Sequence, residues 1–312
     1  MLLSSAVRAE GILSTNEQII NFFILHSADG SGQTGVEFPT CAKPWTLAAT
    51  KAFRFHILGM ENRNEIIEPL TKAKQLIGLK NSSYKDYIGA RILFLNDQLH
   101  QAAILANTCI EKEIKSFLYA IGIPHKDNHD TFKLLNLLSR HDADTAEKIN
   151  SDFVKVLTKI YRSRYHEDLG AGYNFVIAKK KFLAELDDIY ALLEKKVRYN
   201  SVRMGESFPK SQYELAILSN YGPVILNNFL YTNQTKEEFV TSEEIVFEFR
   251  IAHNSEVIEA LYKIPKNIEP GRFLYEGLRP GKDPTKQIKL SHHYTISELI
   301  YVSRNGHLLP QK

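Results

Sequence analysis

Cysteine is scarce. Cys41 and Cys109 are the two in 312 residues, too few for a disulfide framework, which excludes the small cross-linked secreted scaffolds and fits a reducing compartment. Cys109 lies inside an apolar helical run, where a small, weakly polar side chain packs as core. No run approaches the ~18 apolar residues a membrane span needs. Met1 to Arg8 show no basic stretch leading into a long apolar segment, so no secretory signal is expected. A cytoplasmic location without membrane contact is the expectation. Charge of one sign is missing too: a formal net charge of +3 does not by itself imply a polyanionic partner. There is no internal repeat and no low-complexity tract.

Motifs for phosphate and metal are incomplete. Asp29 to Gly35 contains Gly30-Ser31-Gly32, but no Lys-Ser/Thr follows, so the P-loop pattern is absent. A nucleotidyl-transfer site needs a nearby Asp-x-Asp to hold magnesium, and none precedes residue 80. His125 and His129 are four apart beside Pro124 without a third ligand, and His292-His293 have the same status; a zinc site needs more. No metal and no cofactor is expected.

What is there is ordinary for a packed protein: 44% hydrophobic and 24% charged residues. The length suggests about two domains. The order of elements predicts an α+β chain, mainly helical, with a small N-terminal α/β segment (1–80), a central antiparallel four-helix bundle (81–203) and a mixed C-terminal domain (204–312). Residues 16–27 can form a short helix. Lys51 to Leu58 alternates in part and reads as a strand. Asn64 to Leu76 reads as a helix with Pro69 near its start.

Ser82-Ser83 offers a cap for a stripe of Ile88, Ile92, Leu95, Leu99, Ala102, Ala106, Ile110, Ile114 and Phe117 at spacings of three and four. That stripe is too long for one helix, so a break is expected near Asn96-Asp97 and an end at Gly122-Ile123-Pro124. Asp130 to Ser139 is a short helix. Asp144 caps the next, with Ile149, Phe153, Val156, Leu157 and Ile160 inside. A last helix runs from about Asn174 to Tyr199; with one apolar face each, four helices close into a bundle. After a linker at 205–209, Gln212 to Leu218 reads as helix, and Glu244 to Ala252 is the clearest strand.

Charge is uneven. Lys155 to Arg203 hold eleven Lys/Arg against six Asp/Glu, and Pro270 to Lys312 hold seven against three. The two stretches would favour an anionic ligand if they share a face; two solvated faces are the plain alternative. The run Lys179-Lys180-Lys181 lies on a helix and reads as a solvated face. Basic and aromatic residues mix in the tail (Arg272, Phe273, Tyr275, Lys289, Tyr294), a combination compatible with single-stranded nucleic acid.

Ala102 to Gly122, with its alanine-rich start and Glu111-Lys112 centre, His129-Asp130-Thr131-Phe132-Lys133-Leu134-Leu135, and Tyr161-Arg162-Ser163-Arg164-Tyr165-His166 near a helix end together resemble the HEPN family of small helical domains over roughly 84–200. The resemblance implies one of two kinds of protein. One is a metal-independent ribonuclease acting as a dimer, of the sort found as toxins or defence effectors. The other is a non-catalytic module that binds nucleotides or partner proteins. Nuclease members carry an Arg with four to six residues before a His; here Arg162 and His166 are separated by three.

On the nuclease side, the resemblance implies Arg162 on the phosphate and His166 as acid/base. Arg164, Tyr165 and Lys159 would bind nucleic acid, and a homodimer would form through the bundle. A guanidinium holds a phosphate bidentately, and an imidazole moves protons near neutral pH. If the helix continues through His166, residues four apart share a face. The bland alternative pairs Arg162 and Arg164 with Glu167 or Asp168.

Overall fold

Two long helices, Leu70–Leu95 (α1) and Leu99–Ala120 (α2), lie side by side and carry the core of a computed structural model. The structure describes residues 52–57, 65–124, 129–201, 209–252, 255–266 and 296–308, and residues 50–312 form one compact unit. The expected helix at 16–27, the glycine loop at 29–35, most of the linker at 205–209, His125, His292-His293 and most of the basic-aromatic tail lie outside the described residues.

The break between α1 and α2 falls where the sequence places it. Asp97 sits at φ 59°, a left-handed conformation that Asp tolerates better than most residues. The start of α1 does not match the expectation. Residues 65–69 are a strand (β2) paired antiparallel with Ala52–Ile57 (β1), and Leu70 opens the helix directly after Pro69. Pro69 is accommodated because β2 is the edge of a three-stranded sheet ordered β2-β1-β4, with β4 at Val197–Ser201. Ser82-Ser83 therefore caps nothing. Ser83 is buried inside α1, and its Oγ donates to the Cys109 carbonyl at 3.0 Å.

Gly122, at φ 78°, closes α2, with the Ile123 amide returning to the Leu118 carbonyl at 2.9 Å. Thr131–Ser139 (α3) is capped by Asp130, whose side chain accepts from the Lys133 amide. Asp142, not Asp144, caps the short helix Ala143–Glu147 (α4), and Asn150 caps Ser151–Arg162 (α5), accepting from the Asp152 and Phe153 amides.

The expected helix from Asn174 to Tyr199 is three elements: strand β3 (Asn174–Ala178), helix α6 (Lys179–Glu194) and strand β4. Phe175 and Ile177 face the helices, while Val176 and Ala178 face a second apolar cluster with Val246 and Tyr262. A strand buried on both faces loses the polar alternation that marks a strand in sequence, so its apolar residues read as helical.

β3 pairs with Glu244–Ile251 (β5), register Phe175↔Phe249 and Ile177↔Phe247. It heads an antiparallel sheet continued by Val257–Ile264 (β6), Glu298–Arg304 (β7) and His307–Leu308 (β8). The boundary at 80/81 falls within α1. The chain is mainly helical with antiparallel sheets. Among the described residues no helix is long and apolar enough to cross a membrane.

Gln212–Leu218 (α7) is helical as expected and starts on a Ser211–Glu214 capping box. The core is tied by buried polar contacts. Tyr87 and Tyr190 stack at 4.0 Å, with Tyr213 edge-on to both. The Tyr87 hydroxyl donates to Asp187 at 2.8 Å, and Arg91, fully buried, pairs with Asp187 and donates to the Pro223 and Leu226 carbonyls. The lysine run is not a solvated face: Lys179 reaches Asp97 (2.6 Å), Lys180 reaches Ser242 (2.6 Å), and Lys181 is buried.

Candidate nucleic-acid interface

α5 is amphipathic by design of its spacing. Phe153, Val156, Leu157 and Ile160 are buried, which leaves Lys155, Lys159 and Arg162 at i, i+4 and i+7 on the opposite side. Two of these cations sit over aromatic rings, Lys155 over Phe132 at 5.2 Å and Lys159 over Tyr173 at 5.4 Å. Lys159 and Arg162 occupy the last turn, where the helix dipole favours positive charge.

The α-helix ends at Arg162. Residues 163–168 form a 3-10 turn, and Tyr165 departs from helical geometry at φ −114°, ψ 60°. The condition for Arg162 and His166 to share a helical face is therefore not met. The His166, Glu167 and Asp168 side chains lie outside the described residues.

The turn is held from behind. Ser163 is buried; its Oγ donates to the Ile160 carbonyl (2.5 Å) and lies 2.6 Å from His100 Nε2. Having given its proton to Ile160, Ser163 accepts from His100, which fixes Nε2 as a donor on that ring. The His100 ring packs 5.3–5.8 Å from Phe175, Phe247 and Phe249. The β3–β5 pair thus backs the turn through one histidine.

In front, Arg164 lies 3.5 Å above the Tyr161 ring and 5.2 Å from that of Tyr165, and its Nε donates to the Tyr161 carbonyl at 3.3 Å. Tyr165 is 62% exposed. Arg162 has 65% of its side chain exposed; its Nη2 is 3.7 Å from Asp130 Oδ2. Sequence reasoning offered Glu167 or Asp168 as partners and missed Asp130.

It also missed Glu111. This residue of α2 is 5% exposed, and its Oε1 receives Lys115 Nζ at 2.7 Å and His129 Nδ1 at 2.9 Å. The signal was present as an i,i+4 Glu-Lys pair and a histidine just before the α3 cap, but nothing local joined the two.

The electrostatics tie these groups together. Burial raises the Tyr161 hydroxyl above its usual pKa; Arg164 opposes this and the Glu111 charge adds to it. Burial pushes the Tyr173 hydroxyl up to about 12 against the pull of Arg162, and that hydroxyl donates to the Lys159 carbonyl. Among the described residues no group of three or more His, Cys, Asp or Glu side chains is placed to hold a metal ion.

The described residues form a mainly helical α+β unit with cations and aromatic rings interleaved along one helix and its terminal turn. Residues 79–173 match the HEPN domain family model. The match begins within α1, runs through α2 to α5 and the turn after it, and stops just before β3, so the segment expected as the last helix lies beyond it. No curated protein and no solved structure matches the chain.

Proposed function

We propose that this protein is a metal-independent ribonuclease acting on single-stranded RNA. The observation that carries the reading is the exposed Arg162 beside the Arg164–Tyr161–Tyr165 stack at the end of α5. A guanidinium can hold a phosphate while an exposed ring and a planar cation take a base. Arg162 binds the scissile phosphate, Lys159, Arg164 and Tyr165 hold the strand, and His166 moves the proton. The helices close as an antiparallel bundle, two chains pair through it, and the activity serves a toxin or defence system in the cytoplasm. HEPN domains are often ribonucleases, which supports the assignment.

One observation favours the second reading, a non-catalytic module for a nucleotide or a protein partner. The kink at Tyr165 separates Arg162 from His166, and a binding module needs only the cations and rings.

RNA cleavage by purified protein, with EDTA and against Arg162→Ala and His166→Ala, decides between them. The nuclease reading expects cleavage that survives EDTA and is lost in both variants. Cleavage abolished by EDTA, or unchanged in His166→Ala, overturns the mechanism. Absence of cleavage with a nucleotide-dependent rise in melting temperature establishes the second reading.

A further inference from the structure

We propose that Glu111 and His129 form an acid/base pair of the same site, with His129 as the base that activates the ribose 2′-hydroxyl. The inference rests on the ribonuclease reading above and adds to it a residue pair within one chain.

Three observations support it. First, the contact is directional. A carboxylate only accepts, so His129 Nδ1, 2.9 Å from Glu111 Oε1, carries the ring proton and Nε2 is left as the acceptor. This is the arrangement by which a carboxylate sets the tautomer of a working imidazole. Second, the two members differ in exposure. Glu111 is buried in α2, whereas 69% of the His129 side chain is exposed. A ring held at one nitrogen and open at the other can reach a substrate.

Third, the pair adjoins the phosphate-binding groups. Asp130, the residue after His129, lies 3.7 Å from Arg162, and the Glu111 charge is felt at Tyr161, the residue before it. Among the described residues, the charged groups linked to the pair are Lys115, which shares Glu111, and Lys133 and Arg162, which lie against the neighbouring Asp130.

The step balances without a metal. O2′–P forms as P–O5′ breaks, giving a 2′,3′-cyclic phosphate and a 5′-hydroxyl. The 2′ proton passes to His129 Nε2, and the 5′-oxygen takes a proton from the acid of the site, the role given above to His166. Glu111 does not touch substrate. It is a positioning residue that holds the imidazole by its Nδ1.

The test is steady-state cleavage of an end-labelled single-stranded RNA oligonucleotide by the full chain in EDTA, across roughly pH 5 to 9, which brackets imidazole titration. His129→Gln is expected to lower kcat by about 10²–10⁴, with KM little changed and the rising limb of the kcat profile gone. Glu111→Gln, which keeps the shape and removes the charge, is expected to lower kcat about tenfold with KM little changed, as loss of a positioning contact requires.

Wild-type kcat and pH profile in His129→Gln overturn the proposal and leave the ribonuclease reading standing. No cleavage by the wild-type chain overturns both. If the variants melt lower than wild type, all are compared at a temperature where each is folded: unchanged kcat in His129→Gln overturns the proposal, and kcat lost with KM kept supports it.

Discussion

His100 Nε2 donates to Ser163 Oγ across 2.6 Å, joining the first turn of α2 to the turn that follows α5. The ring that makes this bond is also packed against three phenylalanines of the β3–β5 pair. The position of Arg162 and Arg164 therefore depends on a residue more than sixty positions earlier and on a strand some eighty positions later.

His100→Ala removes both the bond and the ring packing. It is expected to destabilise the chain by about 2–3 kcal/mol, between a lost hydrogen bond and a truncated aromatic. Ser163→Ala, which removes only the hydroxyl, is expected to cost about 1 kcal/mol. Urea unfolding measures both, and equal costs would show that the ring packing contributes nothing.

The buried Arg91–Asp187 pair predicts a larger effect. Asp187→Ala leaves a buried guanidinium without its carboxylate and frees the Tyr87 hydroxyl from its acceptor. A loss of roughly 3–5 kcal/mol is expected. Replacing Asp187 with no change in the urea midpoint would refute this role.

Stability should depend on pH through Glu244. Burial raises its carboxyl from 4.5 to about 7, although it accepts from the Lys180, Lys181 and Ile245 amides. The folded state then holds a proton that the unfolded state has released between those values. The contribution is present in full below about pH 4.5 and is lost as pH rises through about 7. Its size is roughly 3 kcal/mol. Glu244→Gln is expected to flatten unfolding free energy across this window, and an unchanged slope would exclude Glu244 as its source.

RNA affinity should follow the stack. Tyr165→Ala is expected to weaken binding of a short single-stranded oligonucleotide about tenfold, within the ~1–3 kcal/mol of one stacked base. Arg164→Ala should also reduce the slope of log affinity against log salt by about 0.7, one phosphate contact on a single strand. Fluorescence anisotropy at several salt concentrations separates the two.

The parts of the fold legible in the sequence are those with one polar and one apolar face. The stripe from Leu99 to Phe117 and its end at Gly122 were readable from spacing alone, as was the start of α3 at Asp130. β3 was not, because Phe175, Val176, Ile177 and Ala178 are all buried and carry no alternation of polarity. Ser83 misled because a serine that bonds across a helix pair looks in sequence like a serine that caps one. At the site, the residues contiguous in the chain, Tyr161 to Tyr165, could be singled out. Glu111, His129 and His100 could not be joined to them, because each partnership is made by tertiary packing.

The β3–β5 pairing also orders events in time. A chain emerging from the ribosome has completed α2 and α5 long before Phe247 and Phe249 are made, and helices with local contacts form first. The surface that backs Ser163 is finished only when β5 arrives. A nascent or truncated chain ending before residue 244 would carry the basic helix without the support for its terminal turn. The support of that turn is completed only when β5 has been made and pairs with β3.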